Sequence, residues 1–293
     1  MDRILKIFNK ESVNINQAAI LLGLFTLLSQ LLGLFRDRSF AHFIGPSTSL
    51  DAYYAAFRVP DFIFISIASL ASFTVIIPFV VARMNGESVT DNARKYLNDI
   101  FTIFFLAMIL ISVVAFFIMP YLIPVIAPGF DPIMQSKVVV LSRIMLLSPI
   151  LMGLSNLFGV VTQIFRKFFI YSLSPILYNV GIIIGVMFFY PIFGTYGLAT
   201  GVALGAFMHF GIQAFASNNL GFAPRFSFSI NFSDVKKTIL TSLPRTMGLA
   251  FNNIALISII ALASFLKSGS ISVFNLAFNL QSVPLNIIGI SYA

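Results

Sequence analysis

Apolar stretches of membrane-spanning length recur along this chain with few breaks, and they limit its fold more than any other feature. A helix needs about 20 predominantly apolar residues to cross a bilayer. We count about eight such segments: 16–35, 52–82, 97–119, 138–164, 170–190, 195–216, 239–265 and one opening at 271. Composition agrees. The chain is 58% hydrophobic and 10% charged, whereas soluble domains carry about 25% charged residues. The expected fold is all-α, a polytopic transmembrane helix bundle. The 34 phenylalanines and ten methionines are then core or lipid-facing.

Local signals shape the segments. The run 52–82 is too long for one straight span and contains Arg58, Pro60, Asp61 and Pro78, so a bent helix is expected. Ser49 or Asp51 stands ready to cap it. Asp131-Pro132 starts another helix, with proline at a favoured early position. The fifth segment carries Pro175 and Asn179 inside it. In the sixth, Gly201 and Gly205 form a small-xxx-small pattern that lets helix backbones approach closely. Residues 1–15 form a basic amphipathic start with Arg3, Lys6 and Lys10, and Asn14 or Asn16 caps the first span.

Counting basic residues orients the chain. With the N-terminus in the cytoplasm, twelve of the 18 Lys and Arg residues fall on or near the inner side and six on the outer. The net charge of +8 is therefore read as positive-inside bias, and nucleic acid is not a partner. There is no cysteine, which excludes disulfides, thiolate metal sites and cysteine nucleophiles. No phosphate-binding glycine loop, catalytic carboxylate pair or metal cluster stands in the sequence. The chain reads as no enzyme, with no cofactor. His42 and His209 have no acidic partners at ligand spacing and are expected at interfaces.

Half of the outer basic set, Arg36, Arg38 and Arg58, falls in one stretch between residues 36 and 58. Charges among membrane-length segments are expensive and usually face a polar cavity. A cavity holding arginines suits an anionic substrate. Plainer readings stand beside this one. Arg36-Asp37-Arg38 also fits an interfacial ion-pair cluster that snorkels. Arg58 and Asp61 fit a helix-internal salt bridge at i, i+3. Arg245, after Pro244, fits an inner anchor, and Arg143 an outer rim.

Five motifs in register point further. Residues 29–37, SQLLGLFRD, followed by 50–62, LDAYYAAFRVPDF, resemble the opening of the MurJ/MviN lipid II flippases. Ala127-Pro128-Gly129-Phe130 is similar to the turn after their third span. Residues 243–250 with Asn252 resemble the start of their seventh. Residues 264–270, then Asn279-Leu280-Gln281 and Pro284, resemble their seventh-to-eighth turn and eighth helix. The resemblance covers the chain from about residue 16.

The resemblance implies the multidrug/oligosaccharidyl-lipid/polysaccharide exporter superfamily, whose members have about fourteen spans. It divides the chain into a first lobe of six helices at 16–220, a cytoplasmic connection at 221–238, and the first two helices of an incomplete second lobe at 239–293. The chain stops inside its eighth segment, and a second half is expected beyond it. The implied cargo is lipid II, an undecaprenyl-pyrophosphate carrying a disaccharide-peptide, moved across the bacterial cytoplasmic membrane by alternating access. Membrane lipids are further partners, and a coupling ion is left open. Substrate binding falls to Arg36, Arg58 and Arg245, with Ser29 and Asn279 in the matched motifs. Asp37, Asp51 and Asp61 would hold those arginines between cargo visits. The sequence departs from the family at Gln30, Phe64 and Asn279, where arginine is usual, at Asp61, where asparagine is, and at Ser69 and Ser282, where glutamate is frequent. Another polyprenyl-linked glycan or multidrug exporter, or a truncated non-transporting remnant, are the other outcomes.

Overall fold

The computed structural model describes residues 15–68, 73–86 and 88–292. The basic segment with Arg3, Lys6 and Lys10, the candidate cap Asn14, and Ser69 lie outside these residues.

The described chain is helical almost throughout. Helix α1 spans Ile15–Phe43, α2 Thr48–Ala68, α3 Phe73–Val81 and α4 Asp91–Ile126. Helix α5 spans Pro132–Met145 and α6 Leu147–Ile164. Helix α7 covers Phe168–Ile184 and continues through a π-helical turn, Gly185–Phe189, to Phe193. Helices α8 (Thr195–Asn219), α9 (Phe232–Ala263) and α10 (Ser270–Tyr292) complete the order.

Among the described residues six helical stretches are long and apolar enough to cross a membrane: Asn16–Phe43, Asp91–Ile126, Pro132–Ile164, Phe168–Phe193, Thr195–Asn219 and Phe232–Ala263. They coincide with six of the expected segments. Within the run 52–82 the described helices are α2 and α3, and residues 69–72 between them lie outside the described residues.

The boundaries follow local chemistry. Helix α1 continues past residue 35, with Arg36 and Asp37 paired inside it. It ends at Gly45, whose positive φ of 66° suits glycine, and whose N–H donates to the Phe40 carbonyl at 3.0 Å. Ser47, not Ser49 or Asp51, caps α2, accepting from the Leu50 N–H at 3.4 Å. Asp131 caps α5 as expected, accepting from the Met134 N–H at 2.9 Å ahead of Pro132. Thr90 caps α4. Helix α4 thus begins at Asp91, ahead of the expected apolar segment 97–119.

Helices α7 and α8 meet through glycine. A Cβ on Gly181 would lie 2.3 Å from the Gly205 Cα, and one on Gly201 would lie 2.5 Å from the Gly185 Cα. The backbones therefore touch directly. Beside this seam runs a buried polar row. Ser155 Oγ lies 2.6 Å from His209 Nδ1, Thr162 donates to Gln213 Oε1 at 2.9 Å, and Gln213 donates to Ser174 Oγ at 2.8 Å. His209 is 8% exposed, so the interfacial expectation for it is corrected. Ser155 supplies inside the bundle the partner that water would give at an interface.

Residues 222–231 connect α8 to α9 and lie along α4. The N–H groups of Arg225, Ser227 and Asn231 donate to Asn98 Oδ1 (2.8 Å), Thr102 Oγ1 (2.8 Å) and Asp99 Oδ2 (3.0 Å). Helix α9 begins at Phe232, earlier than 239, and is held at once. Asp234 pairs with Arg83 at 2.9 Å, and Thr238 bonds Tyr96 at 2.7 Å.

Candidate functional site

A cavity of about 330 Å³ lies where α1, α2, α6, α7, α8, α9 and α10 converge. Its wall includes seven aromatic side chains and carries a polar cluster. From α1, Arg36 reaches it with its guanidinium held on both sides. Nε and Nη2 contact Asp37 Oδ1 at 2.9 and 2.8 Å, and Nη1 donates to Asn179 Oδ1 of α7 at 3.0 Å. The Asn179 amide nitrogen in turn donates to the Pro175 carbonyl at 3.2 Å and to Ser29 Oγ at 3.4 Å. Ser29 and Asp37 therefore both support Arg36, one through Asn179 and one directly.

Arg58 enters from α2 and is 8% exposed. Its Nη2 donates to Asn275 Oδ1 of α10. The Asn275 amide is itself fixed by donation to the Ile271 carbonyl at 2.8 Å. Arg58 Nε and the Tyr54 hydroxyl are buried without a hydrogen-bond partner. Donor capacity of this kind is costly to leave empty. Asp61 lines the same wall. The ion pairs among the described residues are Arg36–Asp37, Arg83–Asp234 and Lys95–Asp99, so the expected Arg58–Asp61 salt bridge is not formed. Asn279 of α10 also lines the cavity, as does Phe64.

Two expected site residues lie elsewhere. Arg245 sits on α9 and donates to Thr74 Oγ1 of α3 at 2.6 Å. The cavity residue of α9 is Leu256, which stands eleven residues further on, roughly 16 Å along the axis. Asp51 holds no arginine. Its carboxylate caps α10, accepting from the Gly269 N–H (2.6 Å), the Ser272 N–H (2.7 Å) and the Ser272 hydroxyl (2.5 Å). A carboxylate at a helix N-terminus meets both the orphan N–H groups and the positive dipole end.

That cap belongs to a larger set of contacts joining three turns. Thr48 Oγ1 and Ser268 Oγ are 2.6 Å apart, and the Gly129 N–H donates to Ser264 Oγ at 2.9 Å. Gly129 has no room for a side chain: a Cβ there would lie 2.3 Å from the Ser264 carbonyl oxygen. The α9–α10 turn is thus latched onto the α1–α2 turn and the α4–α5 turn.

Reasoning from sequence missed Asn179 and Asn275 as arginine supports. The signal was present, since a polar side chain inside a span needs a partner. What the site offers chemically is two guanidinium groups, one held by a carboxylate and an amide and the other by an amide. They face a small polar space walled by rings, and an anion with several oxygens could take up their remaining N–H groups.

The chain is 31% identical over 291 residues to a "Probable lipid II flippase MurJ" of Buchnera aphidicola subsp. Schizaphis graminum, covering 95% of this chain and 55% of that protein. It is 25% identical over 287 residues to the "Lipid II flippase MurJ" of Burkholderia cenocepacia, again 95% of this chain and 55% of the relative. The chain spans about half the length of the curated relatives it matches. In fold it is similar to a solved structure titled "Lipid II flippase MurJ, inward closed conformation", with a TM-score of 0.74 and 24% identity over 90% of this chain and 55% of the other. The family model described as "Lipid II flippase MurJ" matches residues 40–293, most of the chain, and the chain belongs to that family.

Proposed function

We propose that this chain supplies the first lobe, and the start of a second, of a lipid II flippase. Its cargo would be the undecaprenyl-pyrophosphate-linked peptidoglycan precursor, carried across the cytoplasmic membrane by alternating access. In this reading 16–220 is the six-span lobe, 221–238 the inner connection and 239–293 the first two helices of the second lobe, with the N-terminus in the cytoplasm.

The observation that carries the proposal is the convergence of Arg36 and Arg58 on one cavity, each anchored by an asparagine from another helix. A diphosphate brings at least two negative charges into a low-dielectric site, and arginine offers permanently charged, multidentate recognition. Anchoring of Arg58 by an amide rather than a carboxylate leaves its positive charge available. The latch around Asp51 supports the alternating-access part, because it joins the two lobes of this reading with bonds that can be broken and remade. The names of the relatives favour lipid II among polyprenyl-linked cargoes. Arg245 enters only as an inner-side residue tied to α3.

The test is complementation of flippase-depleted bacteria by a full-length version of the protein. The parent should restore growth and Arg36→Ala should not, at equal expression. Restoration by Arg36→Ala would remove the diphosphate role.

A further inference from the structure

Two acids face the cavity or its arginines, and only one is spent. Asp37 is paired with Arg36. Asp61 lines the cavity three residues beyond Arg58 on α2, yet forms no ion pair among the described residues, and Arg58 turns instead to Asn275. The other charged or titratable groups on the wall are Arg36 from α1, Tyr53, Tyr54 and Arg58 from α2, and Tyr178 from α7. The polar residues from α6 and α10, Ser148, Asn275 and Asn279, are neutral, and α9 contributes an apolar one, Leu256.

The charge count then depends on a single proton. With Asp61 ionised, the two arginines and two aspartates cancel. With Asp61 protonated, the wall carries one net positive charge. A diphosphate placed beside an ionised, unpaired carboxylate in a poorly solvated cavity meets like-charge repulsion. Protonation removes that repulsion and leaves Arg58 free to serve the anion.

We propose that Asp61 is a proton-binding site coupled to cargo: the cavity takes one proton from water onto the Asp61 carboxylate when a diphosphate binds, and returns it on release. This inference rests on the diphosphate reading given above. Because binding couplings are reciprocal, protonation strengthens cargo binding by the factor by which cargo strengthens protonation. A metal ion is a poor alternative occupant. Among the described residues no group of three His, Asp or Glu side chains stands together, and Arg58 is a neighbour that repels cations.

The test is calorimetry on the purified protein with a short-chain prenyl-diphosphate-sugar, whose diesterified phosphates hold constant charge near neutral pH. Titrations in buffers of different ionisation enthalpy count the protons taken up. The parent should take up as much as one proton per probe, and its affinity should fall by up to about tenfold per pH unit as pH rises through the linked range, the limit for one proton. Asp61→Asn, which keeps the shape, should take up none and bind with pH-independent affinity at least equal to the parent's at high pH. Asp61→Glu should restore the pH dependence. Uptake that is absent in the parent, or unchanged in Asp61→Asn, overturns the proposal and leaves the diphosphate site standing. A parent that does not bind the probe, or an Arg36→Ala variant that binds it as well, overturns both.

Discussion

Replacing Asp51 with alanine should loosen the latch between α2 and α10 far more than its size suggests. The carboxylate is 3% exposed and accepts three hydrogen bonds, at 2.6, 2.7 and 2.5 Å. A hydrogen bond to a charged group is worth about 1.5–3 kcal/mol net, but bonds within one cluster do not add. A helix cap costs about 1–2 kcal/mol to remove, and the charge at a helix N-terminus adds about 0.3–1 kcal/mol. We therefore expect about 3 kcal/mol for Asp51→Ala, close to 150-fold in the equilibrium between latched and unlatched forms. Asp51→Asn keeps one acceptor and loses the charge, and should cost about 1 kcal/mol. Amide hydrogen exchange at Ser272 reads the effect directly. Its N–H should exchange about 100-fold faster in Asp51→Ala than in the parent, and about fivefold faster in Asp51→Asn. Exchange within twofold of the parent in the alanine variant would refute the reasoning.

Gly205→Ala places a Cβ 2.4 Å from the Tyr178 carbonyl oxygen and should destabilise the bundle by about 2–3 kcal/mol through forced separation of α7 and α8. Gly211→Ala, on the same helix with nothing within 4 Å, should be neutral or gain about 0.5–1 kcal/mol; thermal unfolding in detergent compares the two. Asn179→Ala removes the neutral acceptor that aims Arg36 and should weaken binding of a diphosphate probe about tenfold, the value of one charge-assisted bond. Calorimetry decides, and unchanged affinity would show that Asp37 alone positions the guanidinium.

Much of the bundle was legible because its signals are local. Apolar runs announce spans by length alone, Asp131-Pro132 announces a helix start by adjacency, and Gly201 and Gly205 announce a contact face by spacing. The cavity was half legible. Arg36 and Arg58 are conspicuous because charge inside apolar segments must find polar company. That company comes from Asn179 and Asn275, 143 and 217 residues away, and no local pattern links them. Asp51 misled for a different reason. An acid in the first turn of a helix looks like its own helix's cap, and only the folded chain brings a second helix start closer. Arg245 misled because a motif conveys order along the chain and not depth along the helix axis.

The segment at 222–231 joins two spans, yet it is no slack tether. Three of its amides are bonded to α4 side chains, and the helix it leads into is tied to the α3–α4 connection and to α4 within its first two turns. A connector so fastened behaves as a strut. When α9 tilts, the push passes straight into α4 instead of being absorbed in between, so the two helices must travel together or the strut must first peel away.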